Sequence, residues 1–106
     1  MREADAVVTH AGHGTVLKAL AAGVPLVCMP LGRDQKDNAA RVLRLHAGVR
    51  VSKRASAGGI AAAVRQVLDQ PAYRRAARRF AATLAAEAAE RPSAETEAEA
   101  LLARAP

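Results

Sequence analysis

The segment Ala6-Val7-Val8-Thr9-His10, followed by Ala11-Gly12-His13-Gly14-Thr15 and an alanine-rich stretch, constrains the fold more than any other part of this chain. A β-branched run suits a strand, closely spaced glycines suit a tight turn, and alanines suit the helix that follows. A second apolar run, from Pro25 to Met29, comes next and leads to an expected loop carrying the polar pair Asp34-Gln35. Strand, turn, helix and strand in that order build a parallel α/β layer. Two successive strand ends then deliver polar groups to one edge of the sheet, the edge where open α/β sheets bind ligands.

The residue types in the first turn have a chemical reading. Gly12 and Gly14 can take positive φ and let an anion approach the backbone. Thr15 can cap the helix and offer a hydroxyl. The helix dipole and unbonded first-turn amides favour negative charge, and His10 at the strand end can donate to a phosphate oxygen. The alternative is a strand-to-helix turn without a ligand, and Gly-x-Gly alone does not separate the two.

The rest of the chain continues the alternation. The pattern predicts strands over residues 6–10, 26–29 and 49–51, and helices over 14–22, 35–46, 59–68 and from Pro71 to about residue 90. Ala39, Val42, Leu43 and Leu45 supply apolar contacts from the second helix, and Ile60, Val64 and Val67 share one face of the third. Tyr73, Ala77, Phe80 and Leu84 recur with helical spacing and form a buried stripe. Pro71 suits a first helical turn, and Pro92-Ser93 separates this helix from a last, weakly apolar one over 94–103. The expected fold is α/β: a partial Rossmann-like parallel sheet of about three strands with right-handed crossovers.

Beyond these periodicities, the order of motifs resembles the donor-binding signature of family-one, GT-B fold glycosyltransferases, the group of UDP-sugar transferases and bacterial macrolide transferases. The residues that carry the resemblance are Thr9-His10-x-Gly12-x-Gly14-Thr15, Ala19-Leu20-x-x-Gly23-Val24-Pro25, and Pro30-x-x-x-Asp34-Gln35-x-x-Asn38-Ala39. It extends through Ala47-Gly48-Val49, Leu68-Asp69 and Pro71-x-Tyr73-Arg74 to about Leu102. The resemblance implies that His10, Gly12, His13, Gly14 and Thr15 hold the donor diphosphate and that Asp34 and Gln35 hold the hydroxyls of the donor sugar. A carboxylate accepts from hydroxyls, and a carboxamide both accepts and donates. Lys18 and Asn38 are secondary candidates. Lys18 stands where the family often has a ribose-binding glutamate; lysine has no acceptor, so it either lies near phosphate or faces solvent.

The resemblance also implies a division of the chain. Residues 1–92 correspond to the C-terminal part of a donor-binding domain, and residues 93–106 to a C-terminal helix and tail. A chain of 106 residues supports one modest core, whereas a GT-B enzyme has two α/β domains and keeps its catalytic histidine in the N-terminal one. The expected function is the nucleotide-diphospho-sugar binding part of an inverting transferase that moves a hexose to a small-molecule hydroxyl acceptor, inactive alone. No catalytic residue is then expected here. No metal or cofactor is expected either, and the partners are a nucleotide-sugar donor, an acceptor and an N-terminal GT-B domain. The alternative is a non-catalytic phosphate- or nucleotide-binding module, or a subunit needing that N-terminal partner.

Composition adds boundaries. No apolar run approaches the length of a membrane span, and no charged-then-apolar leader is present, which points to a cytoplasmic protein. Cys28 has no partner cysteine in the chain and falls in an apolar strand, so it reads as core. No Cys/His spacing matches a zinc site, and His46 reads as a surface or capping residue at a helix end. The net charge of +6 includes Arg74, Arg75, Arg78 and Arg79. These occupy the circumference left by the buried stripe, so a solvated helix face explains them better than nucleic-acid binding.

Overall fold

The computed structural model describes residues 5–90 and Leu102. Three strands, β1 (Val7–Thr9), β2 (Leu26–Cys28) and β3 (Gly48–Arg50), alternate with helices α1 (His13–Ala21) and α2 (Arg33–Arg44). Two further helices follow, α3 (Ala57–Asp69) and α4 (Pro71–Glu90). The sheet order is β1-β2-β3 and both pairings are parallel. The α/β class, the parallel three-stranded sheet and the start of α4 at Pro71 are as expected from the sequence.

Side-chain alternation on β2 builds two cores. Leu26 and Cys28 join Val16, Ala19 and Leu20 of α1, Ala39 and Val42 of α2, and Ala76, Ala77, Phe80 and Leu84 of α4. Leu102 is helical and fully buried in this same cluster; the other residues of the helix expected over 94–103 lie outside the described residues. Val27 points the other way, against Ala63 and Val67 of α3, with Val49, Val51, Val64 and Tyr73 completing that side. The central strand is thus covered on both faces, and α4 takes part in both clusters. The hydroxyl of Tyr73 accepts from Gln66 Nε2 at 2.8 Å, which ties α3 to α4.

Val8 and Leu43 are exposed although apolar. Val8 pairs with Val27 across the sheet yet is 46% exposed, because α3 contacts β2 and β3 and leaves this face of the edge strand uncovered. Leu43, expected to pack, is 38% exposed; Ala39 and Val42 supply the buried face of α2, and Leu43 lies a further step around the helix. Ile60 and Val64 are half-buried while Val67 is buried. Cys28 is a core residue, and burial pushes its thiol up to about 12, so it stays neutral across the physiological range.

Both helices that return the chain to the sheet end in the same double-bonded cap. After α1, Gly23 N–H donates to Leu20 C=O and Val24 N–H donates to Ala19 C=O. After α2, His46 N–H donates to Leu43 C=O and Ala47 N–H donates to Val42 C=O. Each cap needs a residue in the left-handed region. Gly23 meets this at φ 70°, whereas His46 adopts φ 60° with a side chain. At the start of β3, Gly48 lies so close to β2 that an added Cβ meets the Leu26 carbonyl oxygen at 2.1 Å.

The other strained position is Ala11, between β1 and α1. It is fully buried and has φ 71°. The glycines expected to take positive φ do not: Gly12 has φ −62° and Gly14 lies within the helix. Ala11 is held from both sides. Its N–H donates to Thr9 Oγ1 at 3.1 Å, and its carbonyl accepts from Asn38 Nδ2 at 3.0 Å. Asn38 is 5% exposed, and its Oδ1 accepts from Arg41 Nη1 at 3.3 Å. The buried carboxamide therefore has partners on both ends, as burial of a polar group demands.

Three substitutions test these constraints by chemical denaturation. Gly48→Ala is expected to cost about 3 kcal/mol or more, because strand backbone must move. His46→Gly is expected to add about 0.5–1 kcal/mol by relieving the left-handed side chain; a loss of stability there contradicts the cap assignment. Asn38→Ala leaves the Ala11 carbonyl buried without its donor and is expected to cost about 1–3 kcal/mol. A change below about 0.5 kcal/mol, the size of an ordinary surface substitution, means that the bond does not hold the turn.

Candidate functional site

The carboxyl edge of the sheet gathers the polar residues that the sequence singles out. His10 follows β1, and Asp34 and Gln35 open the helix that follows β2. Because the strands are parallel, all three emerge at the same edge. The ladder continues past the strands: Met29 N–H donates to Thr9 C=O at 2.7 Å. The exposed His10 ring then bridges the two strand ends, with Nδ1 at 3.0 Å from the Met29 carbonyl oxygen.

The turn after β1 presents backbone. Gly12 is the N-cap of α1, and no side chain caps the helix. Thr15, expected as the cap, is instead the third helical residue. The chain enters the helix three residues earlier than a threonine cap requires, because positive φ at Ala11 has already turned it. The first N–H groups of a helix have no intrahelical acceptor, and no side chain caps those of Gly14 and Thr15. The approach is open: a Cβ built on Gly12 or Gly14 meets nothing within 4 Å. His13, Gly14 and Thr15 are all exposed, so the surface over this turn is accessible backbone at the positive end of a helix dipole.

Asp34 differs from expectation in setting and Gln35 in part of its chemistry. The helix begins at Arg33, two residues before the expected start at Gln35, so Asp34 too lies in its first turn and not in a loop. Gln35 Oε1 accepts from Leu31 N–H at 2.8 Å and from Gly32 N–H at 3.4 Å. The carboxamide oxygen is thereby used to start α2, leaving the amide nitrogen as the group it can offer to a ligand. Asp34 is exposed, and its carboxylate suits the positive end of α2.

The secondary candidates occupy structural positions. Asn38 is the buried stitch between α2 and the Ala11 turn described above. Lys18 is exposed in the last turn of α1, where a cation complements the negative end of the dipole. On the far side of α2 a depression of about 380 Å³ opens beside β3, lined by Pro30, Lys36, Arg50, Val51, Ser52 and Lys53. Its cations add positive potential to the carboxyl edge.

The arginines of α4 lie elsewhere. Arg74 Nη2 donates to the Asp5 carbonyl and lies 3.7 Å from the Asp5 carboxylate, fastening α4 to the chain entering β1. The stem of Arg78 packs over Gly23. Among the described residues no group of three or more His, Cys, Asp or Glu side chains could hold a metal ion, and no helix is long and apolar enough to cross a membrane.

Among the features of the site not anticipated from the sequence are the Met29 carbonyl as partner of His10 and Thr9 as partner of Ala11. The second had a local signal, since a threonine hydroxyl often accepts from the backbone two residues on. The first had none, because a backbone carbonyl is the same in every residue.

Comparison with known proteins places this arrangement. The family model for UDP-glucoronosyl and UDP-glucosyl transferase matches residues 2–90. The chain is 43% identical over 76 residues to a PGL/p-HBAD biosynthesis glycosyltransferase of Mycobacterium tuberculosis, covering 71% of this chain and 18% of that protein. It is 48% identical over 71 residues to 4'-demethylrebeccamycin synthase of Lentzea aerocolonigenes, covering 66% of this chain and 17% of that one. Among solved structures, the crystal structure of the glycotransferase of kitacinnamycin superposes with a TM-score of 0.77 at 27% identity, over 99% of this chain and 26% of that chain. The chain thus spans less than a fifth of the length of these two curated relatives. With the matched region covering nearly all of the described residues, the chain belongs to the UDP-glucoronosyl and UDP-glucosyl transferase family of GT-B glycosyltransferases.

Proposed function

We propose that this chain is the part of a glycosyltransferase that holds the diphosphate and sugar of a nucleotide-sugar donor. The observation that supports this most directly is the open, uncapped start of α1 beside His10, with Asp34 and Gln35 at the same sheet edge. In this reading the Gly14 and Thr15 amides and the Thr15 hydroxyl take phosphate oxygens, together with Gly12, His13 and His10. The Asp34 carboxylate accepts from hydroxyls of the donor sugar, a hexose, and the Gln35 amide nitrogen donates to it.

The reaction assigned to the whole enzyme is inverting transfer to a hydroxyl of a small acceptor. The acceptor oxygen attacks the anomeric carbon as the bond to the diphosphate breaks, and a base outside these 106 residues takes the hydroxyl proton. The contribution of this chain is electrostatic. Negative charge grows on the leaving diphosphate, and preorganised amides at the positive end of α1 stabilise it without reorganising. The donor is a substrate, and the reading includes no separate cofactor. The chain's small share of its relatives' length also supports a second reading, a nucleotide-binding module that never acts without a partner polypeptide.

Two expectations test the reading. The pure chain, given UDP-glucose and a phenolic or alcoholic acceptor, is expected to show no transfer; turnover would refute the assignment of the base to another polypeptide segment. Calorimetry with UDP and UDP-glucose separates the sites. His10→Ala is expected to weaken both ligands by about 1–3 kcal/mol, since both carry the diphosphate. Asp34→Ala is expected to weaken UDP-glucose alone. Equal loss of UDP in both variants rejects the division of labour, and unchanged binding in both rejects the site.

A further inference from the structure

The bond between His10 and Met29 has a consequence for ligand binding. A carbonyl oxygen only accepts, so the proton shared at 3.0 Å belongs to His10 Nδ1. A neutral imidazole carries a single N–H. Its Nε2 is then a lone pair, and a phosphate oxygen is also an acceptor. The acceptor on Met29 is firmly placed, because the neighbouring Met29 N–H is bonded back to Thr9. A phosphate contact at Nε2 therefore requires either that the ring give up the Met29 bond or that it gain a proton. Gaining a proton keeps the existing bond, creates the second donor and adds a positive charge opposite an anion, which makes the new hydrogen bond a strong one.

We propose that the donor diphosphate is bound at His10 with uptake of a proton at Nε2, the Met29 carbonyl having committed the other ring nitrogen in advance. The proposal rests on the donor-site reading above and adds to it a pH dependence set by a backbone atom. Among the groups on the surrounding elements, α1 brings His13 in its first turn, and α2 brings Arg33 and Asp34 in its own. On β1 there is no ionisable side chain, and on β2 only the buried Cys28.

UDP-glucose is the probe, because its diphosphate carries no proton to lose or gain near neutrality. At about pH 8 histidine is ordinarily neutral, so titration calorimetry in buffers of different ionisation enthalpy is expected to report uptake of roughly 0.3–0.8 proton per site. Affinity is expected to fall about 10- to 100-fold between about pH 6 and about pH 8.5, the range for one hydrogen bond to a charged group. His10→Gln places a neutral amide donor close to the position of Nε2. It is expected to bind with no proton uptake and a flat pH profile, whereas His46→Gln, beyond the far end of α2, is expected to retain both effects. In the ligand-free protein, nitrogen chemical shifts of the His10 ring above neutral pH are expected to show the Nδ1–H tautomer.

The outcomes separate the two levels of inference. Binding of UDP-glucose without proton uptake, or an unchanged pH profile in His10→Gln, overturns the proton linkage and leaves the donor site standing. A dominant Nε2–H tautomer overturns the linkage whatever the ligand does. Absence of UDP-glucose binding at both ends of the pH range overturns the linkage and the donor site together.

Discussion

The hydrogen bond from Asn38 to the Ala11 carbonyl is the constraint on which the site depends. Ala11 must turn a strand into a helix within a few residues while fully buried, and it does so in a conformation that costs a residue with a side chain roughly 1–2 kcal/mol. The turn persists because Thr9 binds its amide and Asn38 binds its oxygen. Without those two partners, the chain between β1 and α1 has no reason to present the amides of Gly14 and Thr15 outward. Asn38 sits on the same helix as Asp34 and Gln35, so one helix positions both the turn before α1 and the polar pair at its own start. The two halves of the candidate site are therefore registered through one buried side chain.

The two cores beneath the edge explain why so few bulky side chains suffice. The chain has only one phenylalanine, one tyrosine and no tryptophan, and alanine fills much of the interior. Alanine brings little area per residue but allows close approach of helices and sheet. Gly48 takes this to its limit, where the β3 backbone packs on β2 with no room for a methyl group. Such tight packing fixes the strand ends, and the strand ends carry His10 and the loop into α2.

Much of this was legible in the sequence. The β-branched runs, the alanine-rich stretches and the stripe of Ala77, Phe80 and Leu84 each had a single periodicity, and the element order followed from them. The order of His10, Gly12, Gly14, Asp34 and Gln35 pointed to the carboxyl edge and to the family. What stayed hidden was decided by distant or backbone atoms. Positive φ fell on Ala11 and not on the glycines because Asn38, 27 positions away, could reach its carbonyl. The helix start at Gln35 was legible, but not the bonds that make it, because their donors are the backbone amides of Leu31 and Gly32. Leu43 and Val8 carry the apolar character of core residues, but the neighbouring elements do not extend over them.

Finally, α4 belongs to both sides of the sheet: Tyr73 lies with α3, and Ala76 to Leu84 lie with α1 and α2. Neither layer is closed without it, yet it follows the three strands and the other three helices whose ranges are described. During synthesis the strands and the glycine turn leave the ribosome well before the helix that buries them. Their apolar faces must wait, and contacts between such distant segments form slowly. The turn between β1 and α1 thus becomes a stable surface only after α4 has emerged, about 60 residues of chain later.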